Sequence, residues 1–116
     1  MQEIIIHVFN MVGSGFCVEA DDGQKVYGLI KKAFHEGRKI KLSFQNVEIL
    51  TSAFLNTAIG QLYRDFSEEE IKSSLSVENM LPEDKALLKR VTGTAKLYYK
   101  DPDGMQKSIN EILGEE

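Results

Sequence analysis

Few side chains in this chain have the chemistry to act on another molecule, and their spacing narrows what each can do. Cys17 is the one cysteine; with no internal partner and no histidine near it in sequence, it reads as an inert core thiol rather than a nucleophile. His7 shares a strand face with Ile5 and Phe9, His35 sits among charged residues, and no third ligand joins them, so no metal site is expected. Gly13, Ser14 and Gly15 can turn N–H groups toward a phosphate, but they lack the lysine and glycine spacing of a P-loop and read as a hairpin turn. Asp101, Asp103 and Gly104 begin like a calcium loop, yet Ile112 occupies the position of the closing glutamate, which leaves a turn and helix cap. Glu68, Glu69 and Glu70 after Ser67 read as a capped or solvated helical turn. Thr51 and Ser52 form a hydroxyl pair at the start of a helix pattern, where the plain role of such an oxygen is to accept an unpaired backbone N–H. A nucleophile with its base, a paired-carboxylate motif and a metal cluster are all missing from the pattern, so neither an enzyme nor a cofactor is expected.

The elements that must hold these residues follow from periodicity. The run from Glu3 to Phe9 has the length and β-branching of a strand, and Phe16 to Glu19 a second, expected to pair with it as a hairpin. Val26, Ile30, Ala33 and Phe34 then recur at helical spacing, with Asp21 and Gln24 as a capping-box-like start and Gly37 as the closing residue. Lys39 to Phe44 alternates strictly, Ile40, Leu42 and Phe44 against Lys39, Lys41 and Ser43. That pattern calls for helices on one face only, since a strand covered on both faces is apolar throughout. After a bend at Gln45 and Asn46, the residues Leu55, Ala58, Ile59, Leu62, Tyr63 and Phe66 make the strongest helical stripe in the chain.

A further strand is expected near residues 73 to 78. It precedes a helix that opens at Pro82 and carries Leu87, Leu88, Val91 and Ala95, with a break or bend expected at Gly93. A turn at residues 101 to 104 and a short helix carrying Met105, Ile109, Ile112 and Leu113 close the order. Strands that alternate with helices argue for parallel pairing through right-handed crossovers.

Composition sets the outer limits. A chain of 116 residues, 42% of them hydrophobic, can bury one core without disulfides or metal, so a single domain over residues 1 to 116 is expected. Eighteen acidic against fourteen basic residues give a net charge of -4, the wrong sign for neutralising phosphates, which excludes nucleic acid as the expected partner. The N-terminus has no basic leader and no run approaches the ~20 apolar residues a span requires, so a cytoplasmic location is expected, with no membrane contact.

The stretch from Gly15 to Tyr63, above all KIKLSFQNVEILTSAFLNTAIGQLY, resembles the STAS-like domain-of-unknown-function family, a relative of the STAS-domain anti-sigma-factor antagonists. The resemblance implies an α/β fold in which a mixed sheet of about four strands carries helices mainly on one face. In the antagonists a strand leads to an Asp-Ser-Ser/Thr-Gly motif at a helix start, and a partner kinase that is also an anti-sigma factor phosphorylates the first serine. That serine falls on Ser52. Thr51 stands in place of the motif's aspartate, Ala53 of the second hydroxyl residue, Phe54 of the glycine, and Ser43 of the aspartate in the strand.

What the resemblance implies is a non-enzymatic, bacterial regulatory module that binds a protein, with a serine kinase or anti-sigma-factor-like ATPase as the kind of partner. Asn46, Thr51, Ser52, Phe54 and Asn56 form the expected contact surface, and Ser52 or Thr51 is the phosphorylation candidate. A phosphate there would meet the positive end of the helix and bring about -1.5 to -2 charges into an interface. Phe54 enlarges that surface if it points outward and belongs to the core if it points inward. The alternative reading is an assembly subunit that self-associates through the polar sheet face or a strand edge.

Overall fold

The computed structural model describes residues 3–100; the turn expected at 101–104 and the helix expected at 105–113 lie outside the described residues. Strand β1 (Glu3–His7) runs into a short helix α1 (Val8–Val12) closed by Gly13 at φ 88°. Strand β2 (Phe16–Cys17) leads to helix α2 (Ala20–His35) and strand β3 (Lys39–Ser43). Strand β4 (Ile49–Leu50) feeds α3 (Ser52–Leu55), which continues through a π-helical turn (Asn56–Gly60) into α4 (Leu62–Asp65). Helix α5 (Glu68–Ser74), strand β5 (Leu75–Glu78) and the long helix α6 (Pro82–Lys100) complete the order.

Among the described residues the strands form not one mixed sheet of about four strands but two sheets, one in the order β1-β3-β5 and a second of β2 with β4, and every pairing is parallel. The α/β class and the one-sided helical cover read from the alternation of residues 39 to 44 are present, but Ser43, expected on the wet face, is buried, its hydroxyl bonded to Asn79 and Gln45. In register across the larger sheet, Ile4 meets Ile40 and Leu75, and Ile6 meets Leu42 and Val77. This row is buried or packed against the core. The opposite row, Ile5 with Lys41 and Ser76, stays open, and Ile5 is 52% exposed.

The hairpin expected between residues 3–9 and 16–19 does not form. Val8 to Val12 coils into one helical turn instead, and β2 takes β4 as its parallel partner, Phe16 opposite Ile49 and Cys17 opposite Leu50. A parallel partner needs an intervening crossover, so it lies far along the chain and leaves no local signal. Gly37 takes φ 73° as expected, but α2 begins at Ala20 with Glu19 at its cap, so Asp21 and Asp22 sit in the first turn, where they favour the dipole without capping. The strand expected over 73–78 starts at Leu75 because α5 runs on through Ser74. Ser67 caps α5, accepting the Glu70 N–H at 3.1 Å. No break occurs at Gly93: α6 passes straight through it, its apolar stripe of Leu87, Leu88, Val91 and Ala95 packed inward, which outweighs the ~1 kcal/mol helix penalty of a glycine.

The helix expected from residue 53 to 66 is present but not regular. A bond from Gln61 N–H to the Asn56 carbonyl at 3.1 Å spans five residues and widens the helix by one π turn. Buried Gly60 stands there beside Ala95 of α6, so the widened turn packs directly against that helix. Leu55, Ala58, Ile59 and Leu62 are buried as the stripe requires, and Phe66 closes the far end edge-on against Phe34 at 5.1 Å.

Candidate functional site

The expected site lies where β4 turns into α3, and two chains of backbone meet there. The Thr51 N–H donates to the Cys17 carbonyl at 3.2 Å, extending the β2–β4 pairing by one bond. Its hydroxyl then donates to the Val18 carbonyl at 2.7 Å and accepts the Phe54 N–H at 3.3 Å. Thr51 is therefore the N-cap of α3 and also the pin between the β2–α2 and β4–α3 connections, with its hydrogen and a lone pair both engaged.

Ser52 differs in each respect. It is the first residue of α3, exposed, with its side chain on a groove of about 240 Å³ between the helix start and α6. Asn56, one turn on, and Leu87, Arg90, Val91 and Thr94 of α6 line the rest. Among the described residues the N–H groups of Ser52 and Ala53 take no acceptor, as expected of a first helical turn. An exposed hydroxyl and Arg90 thus line one groove at a helix start, whose unpaired N–H groups favour an anion over a cation.

Two expected contact residues do not join it. Phe54 is fully buried in the core, so it cannot touch a partner in this fold; where the antagonists carry glycine, this chain uses the position to anchor the helix start. Asn46 is exposed, in the left-handed region at φ 68°, but it stands at the opposite end of β4 from Ser52, next to Gly15. The structure brings Ser52 and Asn56 together, keeps Thr51 beneath them, and leaves Asn46 apart.

Residues that the motif did not name line this groove or are exposed on the strands that lead to it. Arg90 reaches it from another helix. Phe16 and Ile49, in register on the outside of the small sheet, are 54% and 49% exposed, and Val18 adds a third exposed apolar side chain beside the carbonyl that holds Thr51. The alternation Phe16 out, Cys17 in, Val18 out was present in the sequence as a signal; the Ile49 pairing was not.

Cys17 is fully buried, and burial first, then the charge of Asp22, pushes its thiol up to about 11. A second row across the larger sheet holds His7, Ser43 and Glu78 in register at the carboxyl ends of its strands. The serine lies on the middle strand, whereas nucleophile activation requires the imidazole between hydroxyl and carboxylate. Ser43 Oγ instead accepts from Asn79 Nδ2 at 3.1 Å and from the Gln45 N–H at 3.4 Å, tying the two loops that follow β3 and β5. Among the described residues no three His, Cys, Asp or Glu side chains converge as a metal would require, and no helix is long and apolar enough to cross a membrane.

Comparison with known proteins adds a family. The family model described as a STAS-like domain of unknown function matches residues 22–85, more than half of the chain, from the first turn of α2 to the start of α6. No curated protein and no solved structure matches the chain.

Proposed function

We propose that this chain, which belongs to the family of STAS-like domains of unknown function, is a cytoplasmic protein-binding regulatory module that acts by contact rather than turnover. Its contact surface is the start of α3 with the α6 groove, Ser52, Asn56 and Arg90, continued by the apolar strip of Phe16, Val18 and Ile49. Phosphorylation of Ser52 tunes the contact. The observation that carries this reading is the division of labour between neighbouring hydroxyls: Thr51 is consumed by two hydrogen bonds, while Ser52 is exposed beside Arg90.

The likeness to anti-sigma-factor antagonists supports a kinase or related ATPase as the partner. A phosphate on Ser52 would be drawn toward the helix start and Arg90, while its charge would repel an acidic partner surface. A few kcal/mol of such repulsion lowers affinity by one to two orders of magnitude.

Affinity capture from native lysate with the wild-type chain and Ser52→Asp tests the surface, and intact-mass and phosphopeptide analysis of the protein from its host tests the modification. A partner held by one form and lost by the other supports the reading. A partner held equally by wild type, Ser52→Asp and Phe16→Lys, with Ser52 unmodified under all growth conditions, overturns it.

A further inference from the structure

The larger sheet ends on β1, and that edge has a property the other elements lack: it is complementary to itself. Strand β1 pairs with β3 on one side only, and among the described residues no strand takes its other side, so every second backbone N–H and C=O points outward. It also has no proline, no bulge and no lysine along Glu3-Ile4-Ile5-Ile6-His7, and its one carboxylate stands at the end of the strand.

We infer that β1 is a self-association edge, pairing antiparallel with β1 of a second copy about a two-fold axis through Ile5. That register aligns all five residues: Ile5 opposes Ile5 once on the axis, while Ile4 opposes Ile6 and Glu3 opposes His7 twice each by symmetry. Apolar side chains meet apolar ones, and a carboxylate meets an imidazole at both ends. Any other antiparallel register shortens the overlap and separates Glu3 from His7.

Two further observations agree with this pairing. Ile5, at the proposed centre, is an isoleucine 52% exposed on the open face of the sheet. On the helix-covered face, Leu29 of α2 is 38% exposed and lines, with Ile4, Ile6 and Ala33 and with Lys32, Glu36 and Arg38 of both charges, a groove of about 380 Å³ beside the same edge. With the two-fold perpendicular to the sheet, the strands run on as β5-β3-β1-β1-β3-β5, all helices stay on one face, and the two grooves meet below Ile4 and Ile6. The axis is closed, so the product is a dimer and not a fibre. This surface is separate from the Ser52 groove, and neither inference depends on the other.

Sedimentation velocity over a concentration series, on the wild-type chain and on Ile5→Lys, is the first measurement. Wild type should sediment as a dimer at tens of micromolar, and Ile5→Lys, which sets two like charges opposite each other on an exposed site, should weaken it at least tenfold. Its far-UV dichroism and melting temperature should match wild type. The second measurement is air oxidation of Ile5→Cys and of Ser76→Cys, buried Cys17 being silent. Ile5→Cys should form a disulfide dimer readily and Ser76→Cys, on the far strand of the same open face, should not. A wild-type monomer at several hundred micromolar, a dimer that survives Ile5→Lys, or ready cross-linking through Ser76→Cys without Ile5→Cys would each overturn the inference, the last in favour of sheets stacked face to face.

Discussion

Gly23, in the second turn of α2, lies so close to Phe54 that a β-carbon on it would stand 2.6 Å from the Phe54 carbonyl oxygen and 3.1 Å from Thr57 Cβ. This contact locks α2 against the helix start that presents Ser52, with Phe54 buried directly beneath it.

The contact decides the sign of a substitution. By helix propensity Gly23→Ala should gain up to ~1 kcal/mol; because the carbonyl cannot move without α3, it should instead destabilise by about 1–3 kcal/mol. Urea unfolding of the variant measures it, and a gain in stability would show the two helices free to separate.

The hydroxyl pair should separate cleanly under alanine substitution. Thr51→Ala removes a cap and a bond to Val18 and should cost about 1–2 kcal/mol. Ser52→Ala should change stability by no more than ~0.5 kcal/mol, as for other exposed sites. Equal costs in thermal melts would contradict the assigned roles.

Asp65 should give the chain a measurable acid dependence. Burial pushes its carboxyl up, but hydrogen bonds from Arg64 and Tyr27 and the nearby Lys31 outweigh it and hold it below its ordinary value. A carboxylate depressed in the folded state contributes stability in full above its unfolded pKa, and loses it as pH falls through the lower folded value. Asp65→Asn should therefore cost about 1 kcal/mol or less at pH 7, the exposed pairs being screened by solvent, and the difference from wild type should shrink in acid below the ordinary carboxylate range. Urea titrations at a series of pH values read this directly; a difference that grows in acid would be inconsistent with it.

Cys17 should be unreactive while the chain is folded. With the thiol raised to about 11, roughly one in a thousand is ionised at pH 8, and none is exposed. A thiol reagent should label it only at the rate of unfolding and at once in denaturant. Fast labelling of the native protein would place β2 outside the core.

Local pattern by itself determined the α/β class, the stripes of α2 and α6, and the one-sided cover of the sheet. Each of these is written in a period of 2 or 3.6 over neighbouring residues, and burial follows that period at Ile40 and Leu42 but not at Ser43, which the loops after β3 and β5 cover. It also placed a helix start at Thr51 and Ser52, because a hydroxyl residue ahead of an apolar stripe is a local signal. Tertiary structure alone decided which hydroxyl is free, since the acceptor that occupies Thr51 is the carbonyl of Val18, brought in by another strand. The same holds for Phe54, buried in the core while its carbonyl abuts Gly23; for Ile49, exposed beside Phe16; and for Arg90, which shares the Ser52 groove because α6 packs against α3. These are contacts between residues 30 or more positions apart, and no periodicity within one element encodes its neighbour in another.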